Sequence, residues 1–70
     1  MFTWFQRESE FIGYEAREIS AGEYELVVRQ PDGTEQVEHF SDQHALADRQ
    51  VALQHELEDQ GWTGPHGWNL

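Results

Sequence analysis

Four histidines have the widest chemical repertoire in this chain, because imidazole binds metal ions and titrates near neutral pH. His44 and Asp48 lie four residues apart, the spacing at which two side chains of one helix can chelate the same ion. His44 and His55 would lie about 16 Å apart along such a helix, which is too far for one ion. The chain has no cysteine and no zinc-type spacing. We therefore predict no metal or other cofactor, and keep a weak histidine-based metal binder as an alternative.

The remaining polar residues give little support for catalysis. The serines and threonines fall in expected turns and helix caps, and the acids fall at solvent-facing strand positions where nothing raises the pKa of a carboxyl group. The six glycines are spread singly rather than grouped in a phosphate-binding loop. A chain of 70 residues seldom encloses both a core and a buried pocket. No catalytic residue and no enzymatic activity are predicted.

The charge balance restricts the partners. Fourteen acidic residues and four arginines, with no lysine, give a net charge of −10. This field repels nucleic acids and anionic membranes, so we expect neither as a partner. No apolar run approaches the roughly 20 residues that span a bilayer, and the first residues lack a basic signal-peptide region. We expect a cytoplasmic protein that binds another protein or itself. The alternative is an acidic mimic of nucleic acid that inhibits a DNA-binding protein.

The clearest structural signal is the hairpin over residues 24–40. Pro31-Asp32-Gly33 predicts a three-residue loop in which Gly33 has a positive φ. This loop pairs Gln30 with Thr34. It also sets Arg29 opposite Glu35, Val27 opposite Val37, Glu25 opposite His39 and Tyr24 opposite Phe40. Gln36 and Glu38 then fall on the apolar face, which indicates an edge strand.

Two earlier strands extend this sheet. A loop at residues 20–22 would pair Ile19 with Glu23 and set Arg17 opposite Glu25. The two hairpins then place their apolar residues on one shared face, as the two-residue period of a strand requires. A first strand over FTWFQR, turning near residues 8 and 9, would set Trp4 opposite Gly13 and Phe5 opposite Ile12.

A helical period follows over residues 42–60. Leu46, Leu53 and Leu57 form one apolar stripe, with Leu53 expected to be the most buried. Gly61 predicts a left-handed cap that directs Trp62 onto the last helical turn. The fold class is therefore α+β, an antiparallel meander sheet of three to four strands followed by one C-terminal helix packed on one face. This domain spans residues 1–61, and a Trp-containing tail spans residues 62–70.

The second face of the sheet carries more apolar surface than a small monomer usually exposes. We predict that this surface and the tail bind a partner or a second copy, through Phe2, Trp4, Phe11, Val27, Val37 and Trp68. For Trp62 and Trp68 themselves, the first interpretation is that they cover the chain's own core or this same patch, and a binding role of the tail is the alternative.

Two resemblances follow from these segments. PDGTEQVEHFSD, the leucine-stripe helix and the GW…GPHGW ending resemble short bacterial proteins of unknown function, over about the last two thirds of the chain. This similarity implies no activity. The order of four strands and a helix is similar to that of single-stranded nucleic-acid binders of the whirly and PUR type. Those proteins use basic sheets and this sheet is acidic, so the resemblance implies nothing about function.

Overall fold

A computed structural model describes residues 2–68, with the backbone alone for Gly67 and Trp68. It contains five strands and one helix, namely β1 (Phe2–Arg7), β2 (Glu10–Ser20), β3 (Glu23–Arg29), β4 (Glu35–Phe40), α1 (Gln43–Asp59) and β5 (Thr63–Trp68). The strands form one antiparallel sheet in the order β4-β3-β2-β1-β5. Because α1 connects the two edge strands, the chain crosses from one edge of the sheet to the other through this helix.

The predicted α+β class and antiparallel sheet are confirmed, with three corrections. The sheet has five strands rather than three or four, and the helix precedes a final strand rather than ending the fold. Residues 63–68, which were predicted to belong to a tail, pair with β1 instead. Gly64, Pro65 and Gly67 have low strand propensity, so local sequence does not indicate β5. An edge strand tolerates proline because one side of its backbone needs no partner.

The β3–β4 hairpin has the predicted register throughout its length. Gly33 has φ +91°, as its place in the loop requires, and the Gln30 N–H donates to the Thr34 carbonyl at 2.8 Å. The Asp32 carboxylate accepts hydrogen bonds from the Thr34 N–H at 3.0 Å and from its hydroxyl at 2.7 Å. These bonds favour the ionised carboxylate and lower the pKa of Asp32.

The two remaining predicted registers differ in one detail. Trp4 lies opposite Gly13 and Phe5 opposite Ile12, as predicted. In the β2–β3 hairpin, however, Ser20 rather than Ile19 lies opposite Glu23, and the register is irregular between Glu18 and Ser20. The turn needs only Ala21 and Gly22, because the positive φ of Gly22 (+76°) permits a two-residue loop. The extra residue is absorbed in the strand, so Arg17 still lies opposite Glu25.

One apolar core lies between the sheet and α1. It contains Phe5, Ile12, Tyr14, Leu26, Val28, Leu46, Leu53, Leu57 and Trp62. Leu57, with 3% of its surface exposed, is more buried than Leu53 at 6%, so the prediction about Leu53 was wrong. The reason is the helix end, where Gly61 has φ +91° and the Trp62 N–H donates to the Leu57 carbonyl at 3.0 Å. This cap brings the chain back over Leu57 and buries Trp62, as predicted.

A polar contact also joins the helix to the edge strand. The Arg49 guanidinium donates from Nε to the Glu38 carboxylate at 3.0 Å, and this bond raises the pKa of Arg49. The contact explains how a charged residue can occupy the helix-facing side of β4, because the carboxylate keeps a hydrogen-bonding partner there. The edge position predicted for this strand is confirmed.

Candidate functional site

The two faces of the sheet have different neighbours. Alternate residues of each strand point to opposite sides, and α1 packs on the side that carries Phe5, Ile12 and Leu26. The opposite side, called the open face here, carries Phe2, Trp4, Phe11, Gly13, Val27 and Val37 among the described residues. The open face is therefore the surface on which apolar side chains remain available to a partner.

An aromatic groove occupies one end of the open face. The rings of Trp4 and Phe11 lie 5.6 Å apart and are tilted by 58°. On its other side, Trp4 stacks on His66 of β5 at 4.4 Å. The Phe2 ring lies over Gly13, where a Cβ would collide with it. This close approach requires glycine at position 13 and leaves an open groove of about 520 Å³.

The β3–β4 loop forms the wall of the aromatic groove. Arg29, Gln30, Pro31 and Gly33 line it opposite the aromatic rings. The Arg29 guanidinium is held by the Glu35 carboxylate at 2.9 Å, so a counter-ion already neutralises the one cation among these lining residues. Because the floor is aromatic and this cation is paired, an apolar side chain fits the groove better than a charged one.

Beyond the groove, the open face alternates charged and apolar rows. The Glu25 carboxylate lies 3.1 Å from the Arg17 guanidinium and 3.6 Å from the His39 imidazole, which makes a polar row across three strands. Val27 is buried in the middle of the sheet, and the neighbouring Val37 on β4 remains 49% exposed. A second depression of about 230 Å³ lies between Phe2 and Val27. Its other lining residues are charged, namely Glu15, Arg17, Arg29 and Glu35.

The structure brings only part of the predicted binding set together. Phe2, Trp4 and Phe11 line one groove, and Phe11 is 53% exposed. Val27 and Val37 lie opposite each other on the same face but outside this groove. The backbone of Trp68 lies beside Phe2, whereas its side chain falls outside the described residues.

Sequence reasoning missed the loop wall and the histidine stack. The β2–β3 register places Gly13 opposite Arg29, so the β3–β4 loop necessarily follows beside Phe2 and Phe11. The registers of the two predicted hairpins already imply this position of the loop. His66 had no such signal, because its contact with Trp4 depends on β5, and β5 has no strand-like composition.

Three further observations concern metal binding, titratable groups and membrane spans. Among residues 2–68, the structure groups no three His, Asp or Glu side chains around a position that an ion could occupy. Burial raises the pKa of the Tyr14 hydroxyl, but this tyrosine lies in the core beside Phe5. Within the described part of the chain, no helix has the length and apolarity needed to cross a bilayer. The exposed aromatic rings of the groove are able to bury apolar surface of another molecule.

In structural terms, the fold and the site define an α+β protein. One helix packs on one face of its antiparallel sheet, and an aromatic groove lies on the other face. Neither a protein-family model, nor a curated protein, nor a solved structure matches this chain.

Proposed function

We propose that this protein is a small protein-binding module that uses the aromatic groove to hold an apolar side chain of its partner. The observation that carries this proposal is the position of Phe11. It is half exposed on the open face, yet it contacts Trp4 in a formed groove rather than standing alone. Clustered exposed aromatic side chains are typical of protein interfaces, where burial of a few aromatics supplies most of the binding free energy.

Charge supports a basic rather than an acidic partner. The net charge of −10 repels acidic proteins at long range and accelerates encounter with basic ones. At short range the groove itself is nearly neutral, because Glu35 pairs with Arg29. Charge therefore sets the rate of encounter, and the apolar contacts set the lifetime of the complex.

The test compares two variants of matched exposure. Phe11→Ser removes an aromatic ring from the groove, whereas Val51→Ser removes a side chain that is 55% exposed on α1. The tagged parent and both variants are used to capture proteins from a lysate, and the bound proteins are identified by mass spectrometry. We expect one protein to bind the parent and Val51→Ser, with a loss of about 30-fold or more in affinity for Phe11→Ser.

The salt dependence of the same capture separates this function from nucleic-acid mimicry. Groove binding should survive about 0.5 M salt, because apolar contacts are not screened. A protein that binds Phe11→Ser as well as the parent and dissociates in that salt would contradict the proposal. That result would favour an acidic mimic of nucleic acid instead. Equal unfolding midpoints of the three chains exclude misfolding as the cause of any lost capture.

A further inference from the structure

The two edges of the sheet differ in their capacity to pair with another strand. On β5, Pro65 lacks an N–H donor, and the register against β1 is irregular between Trp4 and Gln6. Prolines and irregular register are features by which natural edge strands resist further pairing. On β4, the segment EQVEHF contains no proline and keeps an unbroken register with β3. β4 carries an inward-facing charge, Glu38, but Arg49 neutralises it, so the β4 edge has fewer obstacles to pairing and is the better template for an added strand.

The hairpin loop determines which backbone groups of β4 face outward. The Gln30 N–H bonds the Thr34 carbonyl, so these two residues form a hydrogen-bonded pair. Antiparallel pairs alternate between bonded and non-bonded. Three pairs are consequently not hydrogen-bonded, namely Val27 with Val37, Arg29 with Glu35, and Glu25 with His39. The N–H and C=O groups of Glu35, Val37 and His39 therefore point away from β3, toward the edge.

We propose that two copies of this chain pair antiparallel along β4, with Val37 opposite Val37 of the second copy. In this register the outward N–H and C=O groups of Glu35 lie opposite those of the second copy's His39. Those of His39 lie opposite those of the second copy's Glu35. Three adjacent pairs then exchange backbone hydrogen bonds across the two-fold axis. The side chains are complementary as well, because a carboxylate lies opposite an imidazole, and Gln36 lies opposite Glu38.

The row of polar side chains on the open face continues across this contact. Within one copy, Arg29 pairs with Glu35 at 2.9 Å and His39 lies 3.6 Å from Glu25. Pairing brings Glu35 beside the second copy's His39, so the polar rows of both sheets join at the interface. An imidazole N–H can donate to a carboxylate, and such cross-strand polar pairs favour one register over its neighbours. Val37, half exposed in the single chain, becomes covered by its counterpart.

The dimer would be one continuous sheet with twice the five strands of the single chain. The two-fold axis passes between the two Val37 residues, perpendicular to the sheet. It places both helices on one face and both aromatic grooves on the other. The pairing does not rest on the proposed function of the groove, because it uses the outward backbone groups of β4, whereas the groove is lined by residues of β1 and β2, Arg29 and the β3–β4 loop. It would nevertheless present that groove twice on the same side.

Ionic strength should control this association. Each copy carries a net charge of −10, so two copies repel one another when salt is low. Raising ionic strength from about 0.01 M to about 1 M shortens the screening length from about 30 Å to about 3 Å and removes most of this repulsion. One edge strand also buries less area than a standard interface of about 1,600 Å². We therefore expect a weak dimer that strengthens with salt.

The experiment is sedimentation equilibrium of the purified chain at both salt levels, up to about 1 mM protein. Two variants carry the same added charge. Val37→Glu places like charges opposite each other on the axis, whereas Val51→Glu places one on the exposed side of α1. A third variant, Val37→Pro, removes an outward N–H and leaves the bonds between β3 and β4 intact.

We expect the parent and Val51→Glu to form dimers in high salt, and both Val37 variants to associate at least about 10-fold more weakly. Val37→Glu keeps the proposal testable if the proline variant does not fold. A parent that remains a single chain throughout would overturn the proposal, as would Val37→Glu dimers of parental strength. Loss of the dimer in Phe11→Ser would also overturn it, by assigning self-association to the groove. Because no partner is present, failure here leaves groove binding unaffected.

Discussion

At the scale of single residues, glycines at fixed positions shape the open face. Gly33 closes the loop that walls the aromatic groove, and its φ of +91° lies where side-chain-bearing residues are strained. Gly13 lies beneath the ring of Phe2, and only a residue without a Cβ allows that contact. One glycine therefore acts through backbone conformation and the other through close packing.

Substitution of Gly33 tests the first of these roles. A Cβ at this position would meet nothing within 4 Å, so the loss should arise from backbone strain alone. Gly33→Val should lower the free energy of unfolding by about 1–2 kcal/mol. Gly33→Asn should lose less, because asparagine tolerates positive φ better than a branched residue. Urea denaturation measures both, and an unchanged midpoint for the valine variant would contradict the loop assignment.

At the scale of elements, the C-terminal end of α1 is held to the sheet by buried side chains and by Arg7. Leu53, Leu57 and the capping Trp62 are all buried, and Arg7 lies over the Trp62 ring at 4.3 Å. The Arg7 guanidinium also donates to the Gln60 carbonyl at 2.9 Å, which satisfies one of the free carbonyls at the helix end. The helix terminus is thus tied to β1 as well as to the core.

Truncation of Leu57 should reveal how much this helix end contributes. Leu57→Ala removes a side chain that is 3% exposed, and should lower the free energy of unfolding by about 2–5 kcal/mol. Val51→Ala, on the exposed side of the helix, should change it by less than about 0.5 kcal/mol. Thermal unfolding followed by circular dichroism compares them. A leucine variant that melts with the parent would mean that the stripe does not face the core.

The strand β5 gives a second prediction at this scale. Deletion of residues 63–70 removes the ladder along β1 and the stack of His66 on Trp4. It should lower the free energy of unfolding by on the order of 3 kcal/mol, because each lost backbone bond contributes about 0.5–1.5 kcal/mol. His66→Ala keeps the ladder, so it should lose only about 1 kcal/mol. Equal stability of the truncated and parental chains would mean that this segment is not structural.

At the scale of the whole molecule, charge and shape separate the two proposed contacts. The aromatic groove is lined by residues of β1 and β2, Arg29 and the β3–β4 loop, and the proposed self-pairing uses the edge of β4. A net charge of −10 weakens pairing of like chains and favours encounter with a basic partner. Ionic strength should therefore act in opposite directions on self-association and on the rate of partner encounter.

The same charge predicts that the protein does not bind nucleic acid. Phosphate backbones are repelled at all but the highest salt, and the arginines at positions 7, 17, 29 and 49 each pair with a carboxylate. A short single-stranded oligonucleotide should show no change in fluorescence anisotropy on addition of the protein at about 0.1 M salt. Saturable retention of that oligonucleotide would contradict this prediction.

Local chemistry in the sequence determined the hairpins, the helix and its cap. The loop at residues 31–33 set the β3–β4 register, and Gly61 set the return of Trp62, because both depend on residues close together in the chain. The alternation of apolar residues then identified the open face and placed Phe2, Trp4 and Phe11 on it. These features need no knowledge of distant contacts.

Tertiary structure alone decided the pairing of the fifth strand and the side-chain contacts that this strand makes. A segment rich in glycine and proline has little strand propensity, so its pairing with β1 depends on a partner 57 or more positions away in the sequence. The stack of His66 on Trp4 and the contact of Arg49 with Glu38 likewise join residues whose separation no periodicity encodes. The groove likewise depends on the position of the β3–β4 loop beside Phe2, because a concave site is formed by several strands together.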